Sequence, residues 1–273
     1  MASVLPWGTM RVAVLPLTRA PRIVTYYHFA IVPPPTPLAA QDTSRWHPQN
    51  LVKRVSGKVN STWVSWGEAK PDSWRFRIFD FGERYFDKID FEEGLLKKID
   101  VKTAPPAKMP DNLAGEEAAA WSRLTVPLVY PPSVSSGPGA LSELRTLLQK
   151  RIPLHNRGFY TYAIIAPLTA PFMLIPVIPN LPFFFCAWRA WSHYQALRGA
   201  RHLDELLQNG KIVPEPDAAL DVVYAADAKD ETKPAAVIVT RDSLGQGMRL
   251  LDVRPDEAKD MLRAYEQAVN RVG

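Results

Sequence analysis

The sequence predicts a mainly α-helical, membrane-attached protein built on a proline-broken apolar helical hairpin, with flanking amphipathic helices and a few short strands. Three observations predict it. Thirty residues, Phe159 to Trp188, pass without an ionised side chain, and a bilayer core takes about 20 apolar residues in a helix. Pro167, Pro171, Pro176, Pro179 and Pro182 interrupt that stretch, each removing a backbone donor and clashing with the turn before it. Elsewhere apolar residues recur every three or four positions.

On this reading the chain divides into four parts. Residues 1–101 form an N-terminal soluble region of short strands and amphipathic helices. Residues 102–140 are a Pro/Ser/Gly-rich linker, 141–210 the membrane hairpin with its flanking helices, and 211–273 a C-terminal α/β segment. A length of 273 residues accommodates one large or two small domains. Only one long apolar run is present, which excludes a polytopic bundle.

The N-terminal region opens with two extended segments over residues 10–31, around a turn at Thr18–Pro21. Residues 1–41 hold no Asp or Glu and carry Arg11, Arg19 and Arg22. That composition fits a mitochondrial targeting segment, or a buried strand that lacks acids. A proline-rich linker from Pro33 to about His47 leads to apolar residues at helical spacing, Leu51, Val52, Val55, Val59 and Trp63. A second stripe, Trp74, Ile78, Phe81, Tyr85 and Ile89, predicts an amphipathic helix. After the linker at 102–140, Leu141, Leu144, Leu147 and Leu148 predict a short helix ending at Ile152.

The hairpin comprises one helix from about Gly158 to Ile175, a Pro/Asn turn, and a second helix from Leu181 onward. Its membrane element is carried by Phe159, Tyr160, Pro167, Pro171, Pro176, Pro179, Asn180, Pro182, Phe184 and Trp188. Arg157, Arg189, Trp191, His193 and Tyr194 are its expected anchors at the headgroup level. Lys150, Arg151 and Arg157 precede the stretch, and Arg189, Arg198 and Arg201 follow it. Two basic ends suit a hairpin that enters and leaves by one anionic face; a single kinked span and a buried core helix pair are the alternatives. Gly210 predicts the stop of the following helix. A strand over Ala235–Thr240 and a last helix from Asp256 to Val272, opened by Pro255, are expected in the C-terminal part.

The chemistry-bearing motifs are few. No phosphate-binding loop, H-E-x-x-H or C-x-x-C is present, and Cys186 is the only cysteine. Gly245-Gln-Gly247 reads as a turn. His193 and His202, nine residues apart, face opposite sides of a helix and cannot share a metal. The histidines therefore read as surface or interfacial residues. No catalytic constellation, cofactor or metal site is expected, and the chain is not read as an enzyme. The cluster Trp188–Tyr194 suits lipid headgroups better than a nucleic acid, so no nucleic-acid partner is expected.

The stretch His155-Asn-Arg-Gly-Phe through Leu174-Ile-Pro-Val-Ile-Pro-Asn-Leu-Pro-Phe-Phe-Phe, followed by Ala187-Trp-Arg-Ala-Trp-Ser-His-Tyr-Gln-Ala-Leu, resembles the mitochondrial K+/H+ exchange-related family. The opening Met10-Arg-Val-Ala-Val-Leu-Pro-Leu-Thr also resembles that family's N-terminus, which makes residues 1–9 an extension. The resemblance implies a mitochondrial inner-membrane location and a part in potassium/proton exchange; no catalytic residues are carried over with it. A proton-coupled exchanger needs an ionisable group for which proton and cation compete, and Phe159 to Trp188 offers none. The expected role is thus an accessory or regulatory component, with structural membrane shaping or complex assembly as the alternative. The expected partners are the lipid bilayer and either other subunits of an exchange complex or further copies of this chain.

Overall fold

The computed structural model describes residues 7–19, 23–34, 61–111, 114–171, 181–225 and 236–272. The chain separates into two compact units, Pro35–Asp90 and the remainder, Met1–Pro34 with Phe91–Gly273.

The smaller unit is helical where described. Helix α1 covers 61–67 and α2 covers Trp74–Lys88. Trp63 packs on Phe79 at 5.3 Å between ring centres, and Trp66 meets Trp74 edge-on at 5.6 Å. The Trp63 indole N–H donates to Glu83 at 2.9 Å. The predicted α2 stripe exists, but Trp74 and Phe81 are 52% and 71% exposed, so only part of it is covered. Leu51, Val52, Val55 and Val59 lie outside the described residues.

The larger unit is organised by a mixed sheet. Strands β1 (Thr9–Pro16) and β2 (Thr25–Val32) pair antiparallel from Thr9↔Val32 to Pro16↔Thr25, as the two extended segments predict. β3 (Val126–Tyr130) and β4 (Ile212–Pro216) add in parallel, giving the order β2-β1-β3-β4. β1 from Val12 to Pro16 and β2 from Thr25 to Phe29 are buried at every position, the pattern of strands covered on both faces. β3 comes from within the Pro-rich stretch read as a linker. Its five residues, Val-Pro-Leu-Val-Tyr, are too short to show a period of their own.

Between β3 and β4 run two long helices, α5 (Gly137–Thr169) and α6 (Leu181–Gln208). Helix α5 starts at Ser136, whose hydroxyl accepts from the Gly139 N–H, with proline and glycine in the first turn. It continues through Pro153, where the sequence predicts a break. Ala140, Leu144, Leu148 and His155 are fully buried in one stripe, and packing along that face holds the two predicted helices in line. Helix α6 ends where expected: Gly210 takes a positive φ of 63°, and the Lys211 N–H donates to the Leu206 carbonyl at 2.9 Å, a glycine-terminated C-cap. Its inner face, Ala196, Ala200, Leu203 and Leu206, is completely buried in the main core.

Helix α3 (Phe91–Lys97) rests on α6, and α4 (Glu116–Ser122) precedes β3. Helices α7 (Ala218–Ala225), α8 (Arg241–Leu250) and α9 (Pro255–Val272) complete the unit. The expected strand over 235–240 is reduced, within the described residues, to a bridge between Val237 and Thr18. Gly245 and Gly247 lie inside α8 rather than in a turn. The last helix appears as predicted, with Met261, Ala264 and Ala268 inside.

The membrane-attached hairpin is not what the fold contains. Among the described residues there are nine helices and a four-stranded mixed sheet, and no helix is long and apolar enough to cross a membrane. The uncharged stretch is split between two helices that are charged elsewhere. Residues 159–169 close α5 and residues 181–188 open α6. At 1.5 Å per residue these pieces reach roughly 16 and 12 Å, about half of the ~30 Å hydrocarbon core. The rest of each helix packs on the sheet and on α3.

Candidate functional site

A buried polar cluster sits where α3, α5 and α6 meet. Helix α6 presents Arg189, Ser192 and His193 at positions i, i+3 and i+4, which share one helix face. Helix α5 supplies His155 and, three residues on, Gly158. A Cβ at Gly158 would lie 2.7 Å from the His193 ring, so the glycine vacates the space that the imidazole fills. Helix α3 supplies Glu93. It approaches closely because residue 199 on α6 is glycine: a Cβ there would stand 2.1 Å from the Leu96 carbonyl oxygen. From the other side α9 braces α3. Lys98 pairs with Asp260 at 2.9 Å, and the Phe91 N–H donates to Gln267 at 3.2 Å.

The polar contacts form one connected chain. Arg189 donates through Nη1 to Glu93 Oε1 at 2.8 Å and through Nη2 to Glu93 Oε2 at 3.3 Å. The Ser192 hydroxyl donates to Glu93 Oε1 at 2.6 Å. Arg189 Nη2 also lies 2.8 Å from His193 Nε2, and His193 Nδ1 lies 3.0 Å from His155 Nδ1. A guanidinium only donates, so His193 Nε2 must accept and its proton must sit on Nδ1. That proton points at His155 Nδ1, which places the His155 proton on Nε2. The network thus assigns both tautomers, and it ends on a His155 Nε2–H with no hydrogen-bond partner. His155 is 0% exposed and Glu93, Arg189, Ser192 and His193 are all buried. Tyr162 stacks on the His193 ring at 5.7 Å, and the Arg189 guanidinium lies 5.6 Å from the Tyr162 ring and 5.5 Å from that of Trp188.

Burial and charge set the protonation states. Burial pushes His155 down to about 4, helped by the nearby charges of Arg151 and Arg189 and opposed by Glu93. Burial also lowers His193, with Arg189 and Lys97 acting in the same direction. For Glu93 burial works upward, but hydrogen bonds from Ser192 and Arg189 outweigh it and hold the carboxyl below its ordinary value. Lys97, one turn along α3, is lowered by burial. At neutral pH the cluster is therefore a Glu93–Arg189 ion pair beside two neutral imidazoles. The second ion pair of α3, Glu92 with Arg151 of α5, adjoins it.

Glu93, His155 and His193 also form a group of potential metal ligands, the only one found among the described residues. One donor atom from each lies within 4.8 Å of the others. One carboxylate and two neutral imidazoles suit a zinc-class ion. In the present arrangement the Arg189 guanidinium occupies the space between the carboxylate and His193. An open groove of about 540 Å³, lined by Pro153, Leu154, Arg157, Gly158, Thr161, Tyr162 and His193, reaches the cluster from outside.

Of the residues singled out in the sequence, Arg189 and His193 belong to this buried cluster, at 7% and 5% exposure. Arg157 is exposed on the groove rim. Trp191 is 54% exposed and packs on Tyr194, which in turn meets Phe159. Tyr160, Pro167, Pro171, Pro182 and Phe184 are exposed, and Phe159 and Trp188 are half-buried. Pro176, Pro179 and Asn180 lie outside the described residues. The surface reading of the histidines fails for His28, His155, His193 and His202, all of which are buried. Glu93 was missed because its only local signal is an acid in the first turn of a short helix. Arg189, Ser192 and His193 did carry a signal: they share one helix face at i, i+3 and i+4 directly after an apolar run, and polar groups placed together there call for a partner if that face is buried.

Known proteins place the chain. The family described as mitochondrial K+-H+ exchange-related matches residues 11–207, which takes in most of β1, all of β3, nearly all of both long helices and every member of the cluster. An uncharacterised protein of Saccharomyces cerevisiae is 38% identical over 82 residues, 30% of this chain and 26% of its own length. An uncharacterised protein of Schizosaccharomyces pombe is 24% identical over 186 residues, 68% of this chain and 76% of its own. This chain therefore spans about a quarter of the first relative and three quarters of the second. No solved structure matches. The family match covers well over half of the sequence, and the chain belongs to the mitochondrial K+-H+ exchange-related family.

Proposed function

We propose that this protein is a non-enzymatic accessory or regulatory component of potassium/proton exchange at the mitochondrial inner membrane, acting through other subunits. The observation that carries the reading is the family match over residues 11–207. The electrostatics favour an accessory part over the ion-carrying part. An exchange site must gain and lose a proton near working pH. A histidine pushed down to about 4 holds a proton roughly one thousandth of the time at pH 7. Glu93 is committed to Arg189 and Ser192. The cluster is thus suited to holding three helices together rather than to turning over ions.

The test is potassium-driven swelling of isolated mitochondria. Loss of the protein is expected to slow swelling, and re-expression to restore it. Swelling at the normal rate in its absence removes the proposal. A second reading, complex assembly without a part in transport, draws on the outer ends of α5 and α6. There Ile164, Leu168 and Phe184 are 62%, 70% and 60% exposed, an apolar surface of the kind that docks on a partner. Normal ion flux together with loss of a defined complex would favour it.

A further inference from the structure

The Glu93 cluster has the make-up of a cation site in which the cation is a side chain. The Arg189 guanidinium touches both carboxylate oxygens of Glu93 and Nε2 of His193, at 2.8–3.3 Å. The Glu93 carboxylate and His193 Nε2 face the guanidinium, and His155 Nδ1 lies 3.0 Å from the other nitrogen of the same imidazole; one carboxylate and two imidazoles are the partners a divalent metal takes. We propose that Glu93, His155 and His193 form a binding site for a zinc-class transition-metal ion, and that Arg189 occupies the cation position in the metal-free protein. Metal binding and the Arg189–Glu93 ion pair then exclude each other. This inference does not depend on the ion-exchange reading.

The donor set, its spacing and its access carry it. The donor set, one carboxylate oxygen and two imidazole nitrogens, is that of open three-ligand zinc sites. The donors lie within 4.8 Å of one another, and a tetrahedral ion would draw them to about 3.4 Å apart, a side-chain adjustment. His155 is completely buried and turns Nδ1, the nitrogen that carries no proton, toward His193 at 3.0 Å, so a lone pair is available on the side of the cluster. The groove that reaches His193 supplies an entry path, which a metal site requires. The Tyr162 and Trp188 rings flank the guanidinium in its present position, and cation–π contact can retain its charge when Glu93 turns to a metal. Net charge opposes the ion: Glu93 is the carboxylate that Arg189 meets at 2.8 and 3.3 Å, and the charge of Lys97 on α3 also acts on His193. The unaltered protein is therefore expected to bind metal weakly, and removal of the arginine charge to strengthen it.

The experiment is titration with Co2+, read by its visible ligand-field absorption, and competition with Zn2+. Arg189→Met is expected to bind Co2+ at least tenfold more tightly than the unaltered chain. His155→Ala or His193→Ala in the Arg189→Met background should abolish the gain. Arg189→Met binding no tighter than wild type, or binding indifferent to both histidines, overturns the proposal. Arg189→Met also strips Glu93 of its counter-charge and can unfold when metal-free, so a second measurement uses the unaltered chain. Excess Zn2+ should raise its melting temperature, and should raise that of His193→Ala and His155→Ala less. No shift, or equal shifts in all three proteins, overturns the proposal as well.

Discussion

The two ends of the α5–α6 pair invert the usual relation between charge and burial. The outer end is free of charge over residues 159–169 and 181–188, yet Tyr160, Ile164, Leu168 and Phe184 are exposed there. The inner end carries Arg189, His193 and His155, with Glu93 against them, and all four are buried. The inner end can bury charge because it is met from three sides and every charge finds a partner, the condition under which ionised groups enter a core. Among the described residues the outer end packs helix on helix, through contacts such as Tyr162 with Phe185 at 6.1 Å. Absence of charge permits burial; it does not supply the surface that does the burying.

Perturbation of the inner end should be severe, and the largest effect is expected from Glu93→Gln. It leaves the Arg189 guanidinium buried without its counter-charge, a loss of about 3–5 kcal/mol, measurable by urea unfolding. If the variant is as stable as the parent, the ion pair is not what joins α3 to α6.

A purely apolar deletion in the same region calibrates that value. Leu203 on α6 is completely buried, and Leu203→Ala should cost about 3 kcal/mol. A cost below that of exposed positions would mean that the inner face is not packed as described.

Acid sharpens the comparison further. The folded-state pKa of His155, pushed down to about 4, lies below the ordinary value near 6.5. Between those pH values the unfolded chain binds the extra proton more readily, so stability falls as pH drops. The contribution is complete above about pH 6.5 and lost as pH approaches 4, of the order of 2–3 kcal/mol. Glu93, held below its ordinary value, adds in the same sense at lower pH: its share is present above about 4.5 and is lost below. Melting temperatures from pH 7 to 4 should show the decline, and His155→Phe should flatten its upper part. A flat profile in the parent would mean that the imidazoles are not held neutral.

The smallest effect is expected at the outer end. Leu168→Ser should change folding stability by no more than about 0.5 kcal/mol, because the side chain is 70% exposed. The same substitution should reduce recovery of any partner that docks there. A large loss of stability would show that this surface is covered within the folded chain.

Much of the scaffold was legible in the sequence. β1 and β2 followed from their apolar runs, α2 from its stripe, the end of α6 from Gly210, and α9 from Pro255 and its period. Other parts had no local signature. β3 lies among prolines that read as linker, and its partners β1 and β4 are more than 80 residues away in sequence. Helix α5 passes through Pro153 against the local rule, because burial of Leu144, Leu148 and His155 outweighs the cost of an interior proline, about 3 kcal/mol. The site was half legible: His155 and His193 stand in the segments that resemble the family, but Glu93 lies 62 residues before the nearer of them.

By itself the sequence determined the helical periods, the glycine and proline stops, the extent of the uncharged stretch and the family. Those properties reside in near neighbours along the chain, where spacing of three or four residues fixes which side chains share a face. Only the tertiary structure decided that each half of the uncharged stretch continues into a longer, charged helix packed on the rest of the fold, that four histidines turn inward, and that Glu93 closes on Arg189. Each of those outcomes depends on a surface supplied from far along the chain, and burial free energy is a property of both surfaces in contact, not of either segment alone.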